Sequence, residues 1–145
     1  MRQLNVVGAV LLGLVWAAGG ALAQDTVQDA VPAGQIDCAA AQTQADLNTC
    51  AKMDFDEADS NLNDAYKAAV AKMQDLDKAA AEKGAEAALR DAQRTWVTFR
   101  DQACASEGWT VHGGSMEPMV VLECKARISG ARADDLWSLS EGDGG

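Results

Sequence analysis

The chain is predicted to be all-α: a three-helix hairpin bundle with one long first helix, stapled by two disulfides. Three observations predict it. Apolar residues recur at helical spacing from Leu47 to Leu76 with no intervening Gly or Pro, and a tryptophan-centred run from Leu89 to Asp101 repeats that period. Beta propensity is low and nothing alternates for long, while four cysteines offer cross-links to a small core.

Residues 1–23 read as a signal peptide. Arg2 supplies the positive start, Val6 to Ala18 an apolar run too short to span a bilayer, and Ala21-Leu22-Ala23 a small-x-small cleavage site. A lipid-anchored precursor needs a cysteine after the cleavage site. That position is Gln24, and the first cysteine is Cys38. The expectation is a soluble periplasmic or secreted protein with no membrane anchor after cleavage. Residues 24–36, with Pro32 and Gly34 and no periodicity, read as a flexible lead-in. Residues 37–139 form the helical domain, and 140–145 a disordered tail.

Thr43 can cap the first helix, with Asp46 placing a carboxylate in its first turn. The stripe Leu47, Ala51, Phe55, Ala58, Leu62, Ala65/Tyr66, Ala69, Met73 and Leu76 then carries one helix to about Asp77, and Gly84 marks the break. The second helix spans about Ala85 to Ala105, burying Leu89, Ala92, Trp96, Phe99 and Ala103, with Gly108 placed to end it. The third begins after a loop, with Ser115 as cap, Glu117 in the first turn and Pro118 near N1 or N2. It buries Met119, Leu122, Ala126, Ser129, Ala133 and Leu136.

Four cysteines allow three pairings, and sequence does not choose strictly among them. Cys38 precedes the helix that contains Cys50, whereas Cys104 and Cys124 flank one loop, which favours Cys38–Cys50 and Cys104–Cys124. Each would contribute on the order of 3 kcal/mol in the chain-entropy account. A zinc site is disfavoured, for there is no Cys-x-x-Cys pair and a single histidine.

Without the leader, 22 acidic side chains face 11 basic ones, a formal charge of −11. Such a field repels phosphates, so nucleic acid is excluded as a partner, and it speeds encounter with cationic proteins. Asp54 and Asp56 match the first two ligand positions of a calcium loop, but Ala58 and Asp59 break the pattern inside a helical stripe. His112, Met116 and Met119 offer a weak copper(I) set in which Met119 is equally expected in the core. No metal or cofactor is expected. His112 has no nucleophile or orienting acid at a diagnostic spacing, so the chain reads as a non-enzyme.

Gln93 and Arg100 border Trp96 on one helix, and Asp59, Asn63 and Tyr66 lie on the other. Buried charges persist only when paired, so these six read as a structural network, with Arg100 or Arg132 bracing Asp59.

Asp37-Cys38, Thr43 to Cys50, Asp59-x-x-Leu62-Asn63-x-x-Tyr66, Gln93-Arg94-x-Trp96-x-x-Phe99-Arg100-Asp101-x-x-Cys104, Gly113-Gly114-Ser115 and Cys124 together resemble the family named after the lysozyme inhibitor LprI. The match covers about Asp37 to Trp137. The resemblance implies a role outside the cytoplasm, protecting peptidoglycan by occupying a lysozyme cleft. The namesake type is lipid-anchored, a feature from which Gln24 departs. The family motif carries no established contact residues. The loop that could enter a cleft is Trp109 to Met116, with Trp109, His112, Gly113, Gly114 and Ser115 as candidate partner-binding residues. The opposing reading has Gly113-Gly114 as a plain turn and Trp109 capping the core. The alternative function is a non-catalytic periplasmic adaptor or structural protein using its acidic helical face towards another envelope protein, and behind it a weak copper-binding protein.

Overall fold

The computed structural model describes residues 36–142. After a one-turn 3-10 helix at Cys38–Ala40 come α1 (Gln44–Ala79), α2 (Ala85–Gly108), a second 3-10 turn at Trp109–Val111, and α3 (Glu117–Glu141). The described residues contain no strand. The expected signal peptide, most of the lead-in and the last three residues lie outside the described residues.

Thr43 caps α1 reciprocally. Its Oγ1 accepts the Asp46 N–H at 3.1 Å and donates to Asp46 Oδ2 at 2.6 Å. The alanine-rich end of α1 runs to Ala79, two residues past the expected stop. Gly84 then turns the chain at φ +139°, in a region that L side chains rarely adopt. No side chain caps α2 from the usual position. Asp77 does so from across the turn: Oδ1 accepts the N–H groups of Gly84 and Ala85 at 2.9 Å, and Oδ2 that of Glu86 at 3.1 Å.

Those backbone donors, Ala85 first, then Glu86 and Gly84, hold the Asp77 carboxyl below its ordinary value. A carboxyl depressed in the folded state adds stability above its unfolded value, about pH 4, and loses it as pH falls through the folded value. Asp77→Ala should therefore lower Tm by a few degrees at pH 7, and the gap from wild type should narrow towards about pH 3. Thermal unfolding by circular dichroism at the two pH values checks this; an equal gap at both would remove the charge from the account.

α1 and α3 run parallel, with α2 antiparallel between them in sequence. Asn48 near the start of α1 meets Ser115 just before α3, and Asn61 accepts from Trp137 Nε1 at 3.1 Å. The α1–α3 packing is the most extensive of the three. Ala65, Ala69, Ser129 and Ala133 are fully buried, and such small side chains let helix backbones approach closely. Around them Leu62, Met73, Leu89 and Leu136 close the core, with Tyr66, Val70, Trp96 and Leu139 packed against it. Each fully buried leucine contributes on the order of 2 kcal/mol.

Both disulfides have the expected pairing. Cys38–Cys50 closes a separation of 12 residues and Cys104–Cys124 one of 20, with Cα atoms 5.7 and 5.5 Å apart.

Several expectations are corrected. The buried stripe of α2 is Leu89, Gln93, Arg100, Cys104 and Gly108, rotated by one residue from the expected phase, so Ala92 is exposed and Phe99 is 60 % exposed. Arg100 and Gln93 face inward because α1 and α3 supply polar partners there. Leu76, near the end of α1, is exposed because it projects beyond the packed stretch of α3. α2 ends at Gly108, where expected, although its φ of −60° is right-handed. It permits close approach to α3, for a Cβ there would lie 2.5 Å from Val121 Cγ2. Ser115 is not the cap of α3: the cap position is Met116 without a side-chain bond, and the Ser115 carbonyl accepts from Asn48 Nδ2 at 3.1 Å. The helix also outlasts the expected domain end at residue 139, stopping at Glu141 before left-handed Gly142.

Candidate functional site

Two polar constellations stand out, one between the helices and one at the α2–α3 turn. In the first, Arg100 of α2 lies 8 % exposed between α1 and α3. Its Nη1 donates to Asp59 Oδ1 at 2.8 Å and to Ser129 Oγ at 3.4 Å, and Nε donates to Asp101 Oδ1 at 3.1 Å. Asn63 Nδ2 donates to the other Asp59 oxygen at 3.0 Å. The guanidinium sits 5.3 Å from the Phe55 ring centre and 5.5 Å from that of Trp96, so it is stacked as well as paired. Lys125 joins from α3, 3.1 Å from Asp101 and 5.8 Å from the Phe55 ring centre. Burial raises the Asp101 carboxyl, but the bonds from Lys125 and Arg100 outweigh it and leave the group below its ordinary value.

Of the six residues grouped from sequence, Asp59, Asn63, Trp96 and Arg100 meet here. Gln93 lies one turn away, accepting from Arg132 Nε at 3.2 Å, and Tyr66 packs against the core. Arg100, not Arg132, braces Asp59. Lys125 and Ser129 also belong to the cluster; the helical spacing of the third helix put Ser129 on its buried stripe without naming a partner, and Lys125 carried no signal. Its charged groups are paired, and the cluster bridges α1, α2 and α3.

The second constellation is the turn. Trp109 is 66 % exposed, so it is not a cap on the core. Its ring stacks on His112, with centroids 3.9 Å apart and planes at 21°. His112 Nδ1 lies 3.0 Å from Glu117 Oε1, and Glu117 Oε2 accepts the Gly113 N–H at 2.7 Å. Gly113 adopts φ +77°, a left-handed turn that favours glycine. Gly114 N–H donates to the Val111 carbonyl at 3.0 Å. A Cβ on Gly114 would crowd that same oxygen. The Gly113 N–H first, then His112, hold the Glu117 carboxyl below its ordinary value.

Beside the turn runs an open groove of about 610 Å³ lined by Gly113, Gly114, Glu117, Pro118, Val121 and Leu122. The Cys104–Cys124 bridge ties α2 to α3 just beneath. Trp109, His112, Gly113, Gly114 and Ser115 are thus exposed together on a cross-linked turn. Glu117, read from sequence only as a first-turn charge, is central to it; its spacing from His112 is not diagnostic, and the contact depends on how the chain enters α3.

Asp54 and Asp56 lie inside α1, where Asp56 pairs with Lys52. Met119 Sδ accepts from Gln44 Nε2 at 3.7 Å, and His112 Nδ1 is engaged by Glu117. Among the described residues no group of three or more His, Cys, Asp or Glu side chains converges as for a metal ion.

A family model described as Lysozyme inhibitor LprI matches residues 37–136, which takes in both disulfides and all of the bundle but the end of α3. The chain belongs to the LprI lysozyme inhibitor family. An uncharacterized protein of Rhizobium meliloti (strain 1021) is 44 % identical to this LprI-family chain over 110 residues, covering 72 % of this chain and 79 % of the relative. No solved structure matches. The matched region contains both disulfides, the Arg100 seam and the Trp109 turn. Among the described residues no helix is long and apolar enough to cross a membrane.

Proposed function

We propose that this protein is an exported, non-catalytic lysozyme inhibitor that protects peptidoglycan, binding the enzyme's cleft through the turn from Trp109 to Ser115. The observation that carries the reading is the 66 % exposed indole of Trp109 on a turn fixed by Cys104–Cys124, in a chain of the LprI family. Large aromatic side chains dominate binding energy when a partner buries them, and a cross-linked turn has little conformational freedom left to lose. Gly113 and Gly114 keep the tip narrow. The charge of −11 after leader removal favours encounter with cationic enzymes, of which many lysozymes are examples. Two disulfides suit an oxidising compartment and support export to the periplasm or beyond.

The test is residual lysozyme activity on a peptidoglycan suspension, with oxidised Gln24–Gly145 titrated against c-, g- and i-type enzymes at low and moderate salt. Stoichiometric inhibition of one type, weakening as salt rises, is expected. No inhibition of any type would overturn the reading and leave the adaptor alternative.

A further inference from the structure

We propose that Glu117 is the positioning residue of the recognition turn: its carboxylate ties His112 and Gly113 to the start of α3 and, through the His112 ring, sets the orientation of the Trp109 indole. The proposal rests on the reading of that turn as the contact surface.

The indole has little else to hold it. The backbone bonds of the turn, Gly114 N–H to the Val111 carbonyl at 3.0 Å and Glu117 N–H to the Gly114 carbonyl at 3.2 Å, fix its path and reach no side chain. Asn48 anchors its base through the Ser115 carbonyl. The His112 ring is the aromatic surface stacked on Trp109, and His112 is itself exposed. What fixes His112 is Glu117 Oε1 at 3.0 Å, while Oε2 of the same carboxylate holds Gly113 in its left-handed conformation. One side chain, rooted in the first turn of a helix whose Cys124 is cross-linked to α2, therefore carries order from the bundle to the exposed indole. A bidentate grip of this kind needs hydrogen-bond geometry rather than charge alone. Fixing one large exposed side chain before binding is worth about two- to tenfold in affinity.

The test uses the full oxidised chain and three variants at this position. Glu117→Ala removes both bonds, Glu117→Asp is too short to make them, and Glu117→Gln loses the charge but keeps an acceptor for Gly113 and a polar group for His112. Nuclear Overhauser contacts between the Trp109 and His112 rings, and the hydrogen-exchange protection of the Gly113 amide, report the turn directly. Inhibition of the lysozyme type that responds to wild type reports the consequence. Expected are loss of the ring contacts and of Gly113 protection in Glu117→Ala and Glu117→Asp, with inhibition weakened about two- to tenfold, and near wild-type behaviour in Glu117→Gln. His112→Ala, which leaves α3 untouched, should free Trp109 while Gly113 stays protected.

Ring contacts and Gly113 protection that persist in Glu117→Ala would overturn the proposal. So would full inhibition by Glu117→Ala where Trp109→Ala has lost it. A Glu117→Gln variant as defective as Glu117→Ala would also overturn it, leaving Glu117 as a charge at a helix start. If wild type inhibits no lysozyme, the inhibitor reading fails alone, and the Overhauser and exchange data still decide the role of Glu117.

Discussion

Replacing Arg100 with Ala is expected to destabilise the bundle by about 2 to 3 kcal/mol, a fall in Tm on the order of 10 °C. Removing one member of a buried pair commonly costs about 3 to 5 kcal/mol, because the remaining charge loses both water and partner. Here the orphaned carboxylates are partly wet: the Asp59 side chain is 38 % exposed and that of Asp101 46 %, so water recovers part of the loss. Against that, the guanidinium also fills space between Phe55 and Trp96, and its removal leaves a void at the meeting of three helices. Asp59→Ala should cost less, about 1 kcal/mol, since Arg100 retains Asp101 and Ser129. Urea and thermal unfolding of both variants would check the order. An Arg100→Ala protein as stable as wild type would mean that the seam contributes nothing net, the outcome found where ion-pair attraction only matches the cost of desolvation.

Trp109→Ala is expected to weaken lysozyme inhibition by roughly thirtyfold or more, the loss that corresponds to about 2 kcal/mol at an aromatic anchor. Its effect on folding should be small, because most of the indole faces solvent and its one close ring neighbour is the exposed His112. The contrast with Arg100 is the diagnostic point: one substitution lowers Tm through the bundle, the other removes binding at nearly unchanged Tm. Inhibition constants measured beside thermal unfolding for both variants would separate them. Undiminished inhibition by Trp109→Ala would exclude the turn as the anchor and shift attention to the acidic faces of the helices.

Much of this architecture was legible before any coordinates. The stripe from Leu47 to Met73 predicts α1, and the Thr43 cap sets its start; Gly84 marks the hinge. The placement of the cysteines around a helix start and a single loop favours, without dictating, the pairing that the structure has. These features are local. A helix of that length without Gly or Pro, a hydroxyl three residues before a carboxylate, and a glycine at φ +139° all depend on residues near in sequence. The need to pair buried charges grouped Asp59, Asn63, Tyr66, Gln93, Trp96 and Arg100 without saying which atoms meet.

What local pattern could not supply was the rotational phase of α2. Ala92 and Phe99 look like core and Gln93 and Arg100 like its polar border, whereas the bundle exposes the first pair and buries the second. The reason is that burial of a polar group is decided by its partners, and the partners of Arg100 lie 41 residues away at Asp59 and 29 residues away at Ser129. The same holds at the turn. Ser115 is the better cap by composition, but the direction in which the chain enters α3 brings Glu117 back onto Gly113 and His112, and that clamp, with Trp109 stacked above it, sits on the turn that Cys104–Cys124 closes between α2 and α3.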